Sequence, residues 1–356
     1  MNRLTFYVAR TILGASLATL LLLAGVWGLF ELFDQLGDVG KGTYQVADAI
    51  QYTLFSLAPQ TYKLFPLAGL LGTLIGLGLL ASHSELTVMR AAGVSTGQIA
   101  AMVLKTAVVL ALAAAVLGEG LAPQAQRAAT ELRGRTIRGE QNYLNSVNGL
   151  WARDGRDFIH IRQLMADGRM MTLTRYRFDA DGRLEAVTRA ERADYLGQGQ
   201  WRLKDVRTSL LRPERVEGET KPTDTWRSNL TPEKLGVVIV APEDLTISGL
   251  ADYRRYLKDN GLDSGQYDLA YWRKLVQPLA TALMMFVGMS FVFGPMRSVS
   301  MGARILVGIA AGFAFYLSNA VFGPVSLVFG LPPVLGALLP LVVFAGLGVW
   351  LLRRAS

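Results

Sequence analysis

Residues 64–81 read LFPLAGLLGTLIGLGLLA, eighteen consecutive positions without a charged side chain. A run of about that length, wound as a helix, covers the hydrocarbon core of a bilayer. Five more stretches qualify: residues 11–33, 99–121, 275–293, 305–322 and 334–352. The spans therefore fall into two groups of three. The first follows Arg3 and Arg10 as a signal peptide would, but it is too long, lacks a small-residue cleavage site and runs into Glu31 and Asp34. It reads as a retained span.

What separates the two trios is of another kind. The chain of 356 residues is 51% hydrophobic and only 18% charged, where a soluble domain carries roughly a quarter charged residues. The deficit is local: residues 123–266 hold 24 of the 36 Lys+Arg and 21 of the 28 Asp+Glu. Two nearly uncharged regions thus bracket one soluble-like region. The organisation expected is three spans in 1–122 with a short cytoplasmic helix at about 84–95, an inserted domain in 123–266, and three spans in 267–356.

Basic residues near span ends set orientation. With the N-terminus in the cytoplasm, Arg3, Arg10, Arg90, Lys105, Arg297, Arg304, Arg353 and Arg354 all fall on or near that side. Lys41 and Lys63 lie in the short outer loops, and Arg273 and Lys274 at the outer end of the fourth span. The count predicts both termini inside and the large domain outside. Gly72 with Gly76, and Gly308 with Gly312, are four apart on one helix face. Such spacing permits close helix approach, and the general glycine richness of membrane helices produces it too. Pro59 and Pro66 predict a second span that is kinked or extended by a preceding amphipathic segment.

From about Trp151 the periodicity becomes that of strands. FIHIR at Phe158, MTLTRY at Met171 and WRLK at Trp201 alternate or are β-branched and aromatic, and Asp154-Gly155, Asp167-Gly168 and Asp181-Gly182 supply tight turns. This reads as a twisted antiparallel sheet or open sandwich. Helical connectors are expected at residues 124–140 and 250–260.

The function classes thin out quickly. A net charge of +8 suggests a polyanion partner, but there is no dense basic run, and loops beside spans are basic anyway; nucleic acid is set aside. Without cysteine there is no disulfide, thiolate metal site or cysteine nucleophile. His83 and His160 fall on opposite sides of the membrane in this topology, and neither a Gly-x-Ser-x-Gly elbow nor a His-Glu-x-x-His run occurs. GDVGKGT at Gly37 superficially resembles a phosphate-binding loop. It fails because Gly42 follows Lys41 where a Ser or Thr is required, and because the loop is outside. No cofactor is called for, and no catalytic group stands out.

Two places carry candidate working residues. The connector SHSELTVMRAAGVS at Ser82 is short, amphipathic and cytoplasmic, with Leu86, Met89 and Ala92 at helical spacing and Gly93 at a capping position. It is either a plain hairpin connector or a helix that docks a cytoplasmic partner through Glu85, Leu86, Met89 and Arg90. Near the outer boundary lie Glu31, Asp34, Lys41 and Arg133. Lys41 and Arg133 are the candidates to hold the phosphates of an amphipathic anion. Glu119, at the outer end of the third span, has no evident partner.

DQLG at Asp34, SELTVMRAAG at Ser84, APQ at Ala122, GLWARDG at Gly149, NLTPEKLG at Asn229, ISGL at Ile247 and FGPMRSV at Phe293 run in one order along the chain. In these segments it resembles the lipopolysaccharide-export permeases (LptF/LptG) of Gram-negative bacteria, and DQLG with GLWARDG is similar to the G rather than the F branch. The resemblance implies an inner-membrane subunit with a periplasmic β-jellyroll, paired with an F-type paralogue around a cavity for lipopolysaccharide. It also implies a cytoplasmic ATPase dimer beneath, receiving the helix that carries Glu85, and a single-span C subunit that leads to a periplasmic bridge protein. Relatives carry basic residues along the end of the first span, where this chain has Glu31, Gly37 and Asp38; Lys41 stands three residues on as a substitute. Arg133 matches a basic residue that the family has on the helix leaving the third span.

Two other classes stay open on the residues alone. A secondary transporter would need ion-coupling carboxylates at mid-membrane or broken repeat helices, and the centres of these spans contain neither Asp nor Glu. A membrane scaffold or receptor is distinguished only by the resemblance.

Overall fold

A computed structural model describes residues 2–138, 149–165, 168–237, 241–293 and 300–355. Helices α1 (Asn2–Leu36), α2 (Val46–Ser82), α3 (Glu85–Ala91) and α4 (Thr96–Val116) come first. A π-helical turn, Leu117–Leu121, joins α4 to α5 (Ala122–Arg138). Strands β1 (Leu150–Asp154), β2 (Asp157–Leu164), β3 (Met170–Phe178), β4 (Leu184–Gly197), β5 (Gln200–Leu211) and β6 (Val216–Arg227) follow. After them come α6 (Pro232–Val237), α7 (Ile247–Asp259), α8 (Gly265–Phe293), α9 (Met301–Val328) and α10 (Pro333–Ala355). Glu140, Asp167 and Arg297 lie outside the described residues. The chain divides into two units. One is Met1–Gln35, Thr53–Gln126 and Gly265–Ser356; the other is Leu36–Tyr52 and Arg127–Ser264.

Six helices of the described residues are long and apolar enough to cross a membrane, and each contains one of the runs read from the sequence. They overshoot those runs. At 1.5 Å per residue, the 37 residues of α2 extend about 55 Å, well past a core of about 30 Å. The helix continues through Pro59 and Pro66. It is also the central helix of its unit: 72% of its most apolar stretch is buried, against 22% for α1 and 17% for α9. The outer faces of α1 and α9 are left for lipid or another protein.

Because lipid is as apolar as leucine, close packing rather than water exclusion must hold such helices together. The glycine pairs show how. A Cβ on Gly72 would meet Ser16, and one on Gly76 would meet Ile12, both on α1. Gly308 and Gly312 of α9 lie equally close to Leu71, Leu74 and Leu67 of α2. Both pairs are therefore contact surfaces. Ile12, Leu70, Leu74, Leu77, Ile99, Met284 and Met285 fill the core between the helices.

In the other unit, the expected β domain is one six-stranded antiparallel sheet in meander order, β1 to β6, without the Greek-key crossings of a jellyroll among the described strands. A crease runs across it. Arg162, Thr172, Glu191, Asp205 and Pro222 form a row, one per strand, in which none pairs with its neighbour although pairing resumes in the same register beyond. Thr172 and Asp205 have φ of 52° and 54°. On either side of the row the buried positions are three apart: Ile161 and Leu164, Met170 and Leu173, Ala190 and Ala193, Leu203 and Val206. A strand's natural repeat is two, so the apolar phase slips at the crease in four successive strands. Pro222, with no N–H to donate, occupies the row on an edge strand.

Three of the sequence motifs meet at one corner of this unit. The indole N–H of the fully buried Trp201 donates to the Leu230 carbonyl at 2.9 Å. Asp154 accepts from the backbone and side-chain N–H groups of Asn229 at 3.1 and 3.3 Å. The Tyr256 hydroxyl on α7 donates to the Arg153 carbonyl at 2.8 Å. GLWARDG, NLTPEKLG and the helix begun by ISGL are thus one structure, which no single motif reveals.

Candidate functional site

The loop between α1 and α2 is clasped onto the last turn of α5. The Thr43 backbone N–H and hydroxyl both donate to the Thr136 carbonyl, at 2.8 and 3.1 Å. Gly42, at φ +59°, passes so close that a Cβ would run into the Thr136 and Ile137 carbonyls. Within the loop, Tyr44 N–H donates to the Lys41 carbonyl at 3.1 Å and Tyr44 itself is buried. The clasp brings Lys41 and Arg133 together, 92 positions apart in sequence, on either side of one carboxylate. Asp38 accepts from Lys41 Nζ at 2.5 Å and from the Arg133 guanidinium. The carboxylate is 14% exposed, whereas Lys41 and Arg133 are 62% and 41% exposed. Arg133 also lies 5.7 Å from the centre of the Tyr52 ring. The hydrogen bond from Lys41, followed by the charge of Arg133, holds the Asp38 carboxyl below its ordinary range, so the cluster is two cations on one anion.

Sequence reasoning found the two cations and missed what joins them. The i, i+3 spacing of Asp38 to Lys41 was the available signal. Glu31 lies elsewhere, accepting from Gln35 at 2.9 Å within α1.

The second site is α3. Ser84 enters it at φ 62°, and it ends with Gly93 at φ +90°; Gly93 N–H donates to Arg90 and Val94 N–H to Met89, both at 3.0 Å. Those two bonds close the last turn in the Schellman manner. Ser95 and Gln98 then cap the start of α4 reciprocally. Leu86 and Met89 point inward, buried in the helical core, while Thr87, Val88 and Arg90 are exposed. The apolar period of this helix therefore fastens it to its own bundle. Glu85 is half buried and hydrogen-bonded to Tyr7 of α1.

A third cluster was not expected. Glu119, in the π turn, pairs with Lys274 of α8 at 3.2 Å. The lysine side chain is 6% exposed and its ammonium lies 5.8 Å from the centre of the Tyr62 ring. Tyr62 presses on Gly118, where a Cβ would strike its ring, and its carbonyl accepts from Gln277 at 3.2 Å. The π turn shifts the helical phase at the position where the carboxylate is needed. Helical periodicity alone could not have brought Glu119 to a residue 155 positions away.

Comparison with known proteins decides the family. The sequence model described as lipopolysaccharide export system permease LptF/LptG matches residues 6–354. The chain belongs to this family. It is 42% identical over 352 residues to the lipopolysaccharide export system permease protein LptG of Escherichia coli K12, covering 98% of both chains. It is 38% identical over 355 residues, 99% of each, to the protein of that name in Haemophilus influenzae. Family membership spans both trios of helices and the β domain between them, so the clasp, α3 and the Glu119–Lys274 pair all lie within the matched region.

Proposed function

We propose that this chain is the G-type permease subunit of a lipopolysaccharide exporter in a Gram-negative inner membrane. Membership of the permease family from residue 6 to 354 carries the reading. Both termini are cytoplasmic and the β domain is periplasmic. The exposed outer faces of α1 and α9 suit an F-type paralogue, with which the spans enclose a cavity open to the outer leaflet. Lys41 and Arg133 form a basic rim that holds lipid phosphates. The β domain receives what leaves the cavity and passes it to the C subunit and the periplasmic bridge.

Energy comes from a cytoplasmic ATPase dimer that seats on α3. With Leu86 and Met89 turned inward, the groups offered to it are Glu85, Arg90 and the exposed Val88. Replacing Glu85 by Lys reverses a charge at that seat, and the substrate-stimulated ATPase rate of the assembled complex is expected to fall about tenfold while the complex still co-purifies. Tyr7→Phe, which removes only the internal hydrogen bond, should leave the rate near native. Equal losses in both variants would make Glu85 an internal strut and remove it from the coupling site.

The chain alone has no part in hydrolysis. Purified without partners, it should turn over no ATP; tagged and isolated from membranes, it should bring an ATPase and a second six-span chain with it. Intrinsic turnover by the isolated chain would overturn the assignment.

A further inference from the structure

We infer that Asp38 is a resident counter-ion that selects phosphomonoester-bearing lipids at the rim and turns phosphodiester lipids away. This rests on the reading of Lys41 and Arg133 as the rim's phosphate-binding cations.

The geometry is that of an occupied site. One carboxylate takes Lys41 at 2.5 Å and Arg133 together. It is tucked beneath them, while both cations keep an exposed outer side. Asp38 and Lys41 share one short loop, and Thr43 ties that loop to the helix that carries Arg133. The carboxylate is therefore tethered in place and competes at a high effective concentration.

An arriving anion must improve on that arrangement. A phosphodiester headgroup carries a single negative charge, the same as the carboxylate, and it must also lose its freedom of motion to bind. Exchange then gains nothing. A phosphomonoester carries about −1.5 to −2 at neutral pH and presents three acceptor oxygens. It can engage the outer sides of both cations and outweigh the tethered carboxylate. The same two cations without Asp38 would hold any anionic lipid, including the bulk phospholipid of the leaflet.

The test uses the assembled complex in nanodiscs, with a photoreactive residue in place of Val39, which is exposed on the same loop. Lipopolysaccharide is crosslinked at limiting amounts, with phosphatidylglycerol as the phosphodiester competitor and phosphatidic acid as the phosphomonoester competitor. In the native protein phosphatidic acid should compete and phosphatidylglycerol should not. Asp38→Asn is expected to raise the crosslink about three- to tenfold, as loss of two surface ion pairs allows, and to make phosphatidylglycerol an effective competitor. Asp38→Glu, which keeps the charge, should retain the native preference. Asn and Glu variants that behave alike overturn the role of Asp38, as does an Asn variant that keeps the native pattern or loses the crosslink altogether. The Lys41→Gln/Arg133→Gln pair separates the two readings: a crosslink that survives it removes the rim itself.

Discussion

Replacing Lys41 and Arg133 together by glutamate should reduce crosslinking of lipopolysaccharide to this chain roughly 10- to 100-fold. A hydrogen bond from a cation to an ionised acceptor contributes about 1.5–3 kcal/mol when well placed. Two such contacts would amount to more than a hundredfold. The exposure of Lys41 and Arg133 screens part of that and sets the lower end of the range. Reversal does more than remove the contacts, because two new carboxylates would then crowd around Asp38. The loop could open by repulsion alone. Lys41→Gln/Arg133→Gln removes the cations without that repulsion, and should produce a smaller loss of the same kind. The remaining crosslink should also depend less on salt, since the ions that salt screens are gone. Full retention of crosslinking in the glutamate pair would exclude both residues from the site.

What could be read in advance follows the range of the interactions. The spans were legible because twenty-odd apolar residues have few other uses, and all six runs lie inside the observed helices. Strands β2, β3 and β5 were legible from alternation and from the Asp-Gly turns, two of which have their glycines at φ +61° and +76°. The crease was not. It depends on Thr172 and Asp205 adopting left-handed backbone, which neither residue type announces, and on five positions aligning across strands. Local pattern reports which face a residue takes, not where a sheet changes its mind about faces.

The site divides in the same way. Lys41 and Arg133 could be chosen one at a time as basic residues near an interface. Their joint dependence on Asp38 requires the contact between the α1–α2 loop and α5, made by Gly42, Thr43 and Thr136. On α3 the period of Leu86 and Met89 is apolar, but an apolar period does not say whether its face meets a partner or its own bundle. Leu86 and Met89 are buried against the latter.

Glu119→Ala is expected to destabilise the helical unit by about 3 kcal/mol, because it strips the carboxylate from a buried ammonium. The two partners are not equivalent. Lys274 is almost wholly enclosed beside Tyr62, whereas Glu119 is 37% exposed. Removing the lysine instead leaves a carboxylate that can turn towards the interface, so Lys274→Met should cost clearly less than Glu119→Ala. The double change Glu119→Gln/Lys274→Met replaces both charges with groups of similar size and should recover most of the lost stability. Thermal unfolding of the purified chain in detergent measures all three. A double variant no more stable than Glu119→Ala would mean that the pair is not coupled. Transport assayed in the recovered double variant then separates two roles. Normal export assigns the pair to packing of α4 against α8, and lost export at restored stability assigns it to the transport cycle. Desolvating an ammonium as enclosed as Lys274 is costly enough that chains seldom retain such a pair for packing alone. The π turn at Glu119 points the same way, since such turns concentrate where side chains must be aimed for function. The expected outcome is therefore a stable protein that exports poorly.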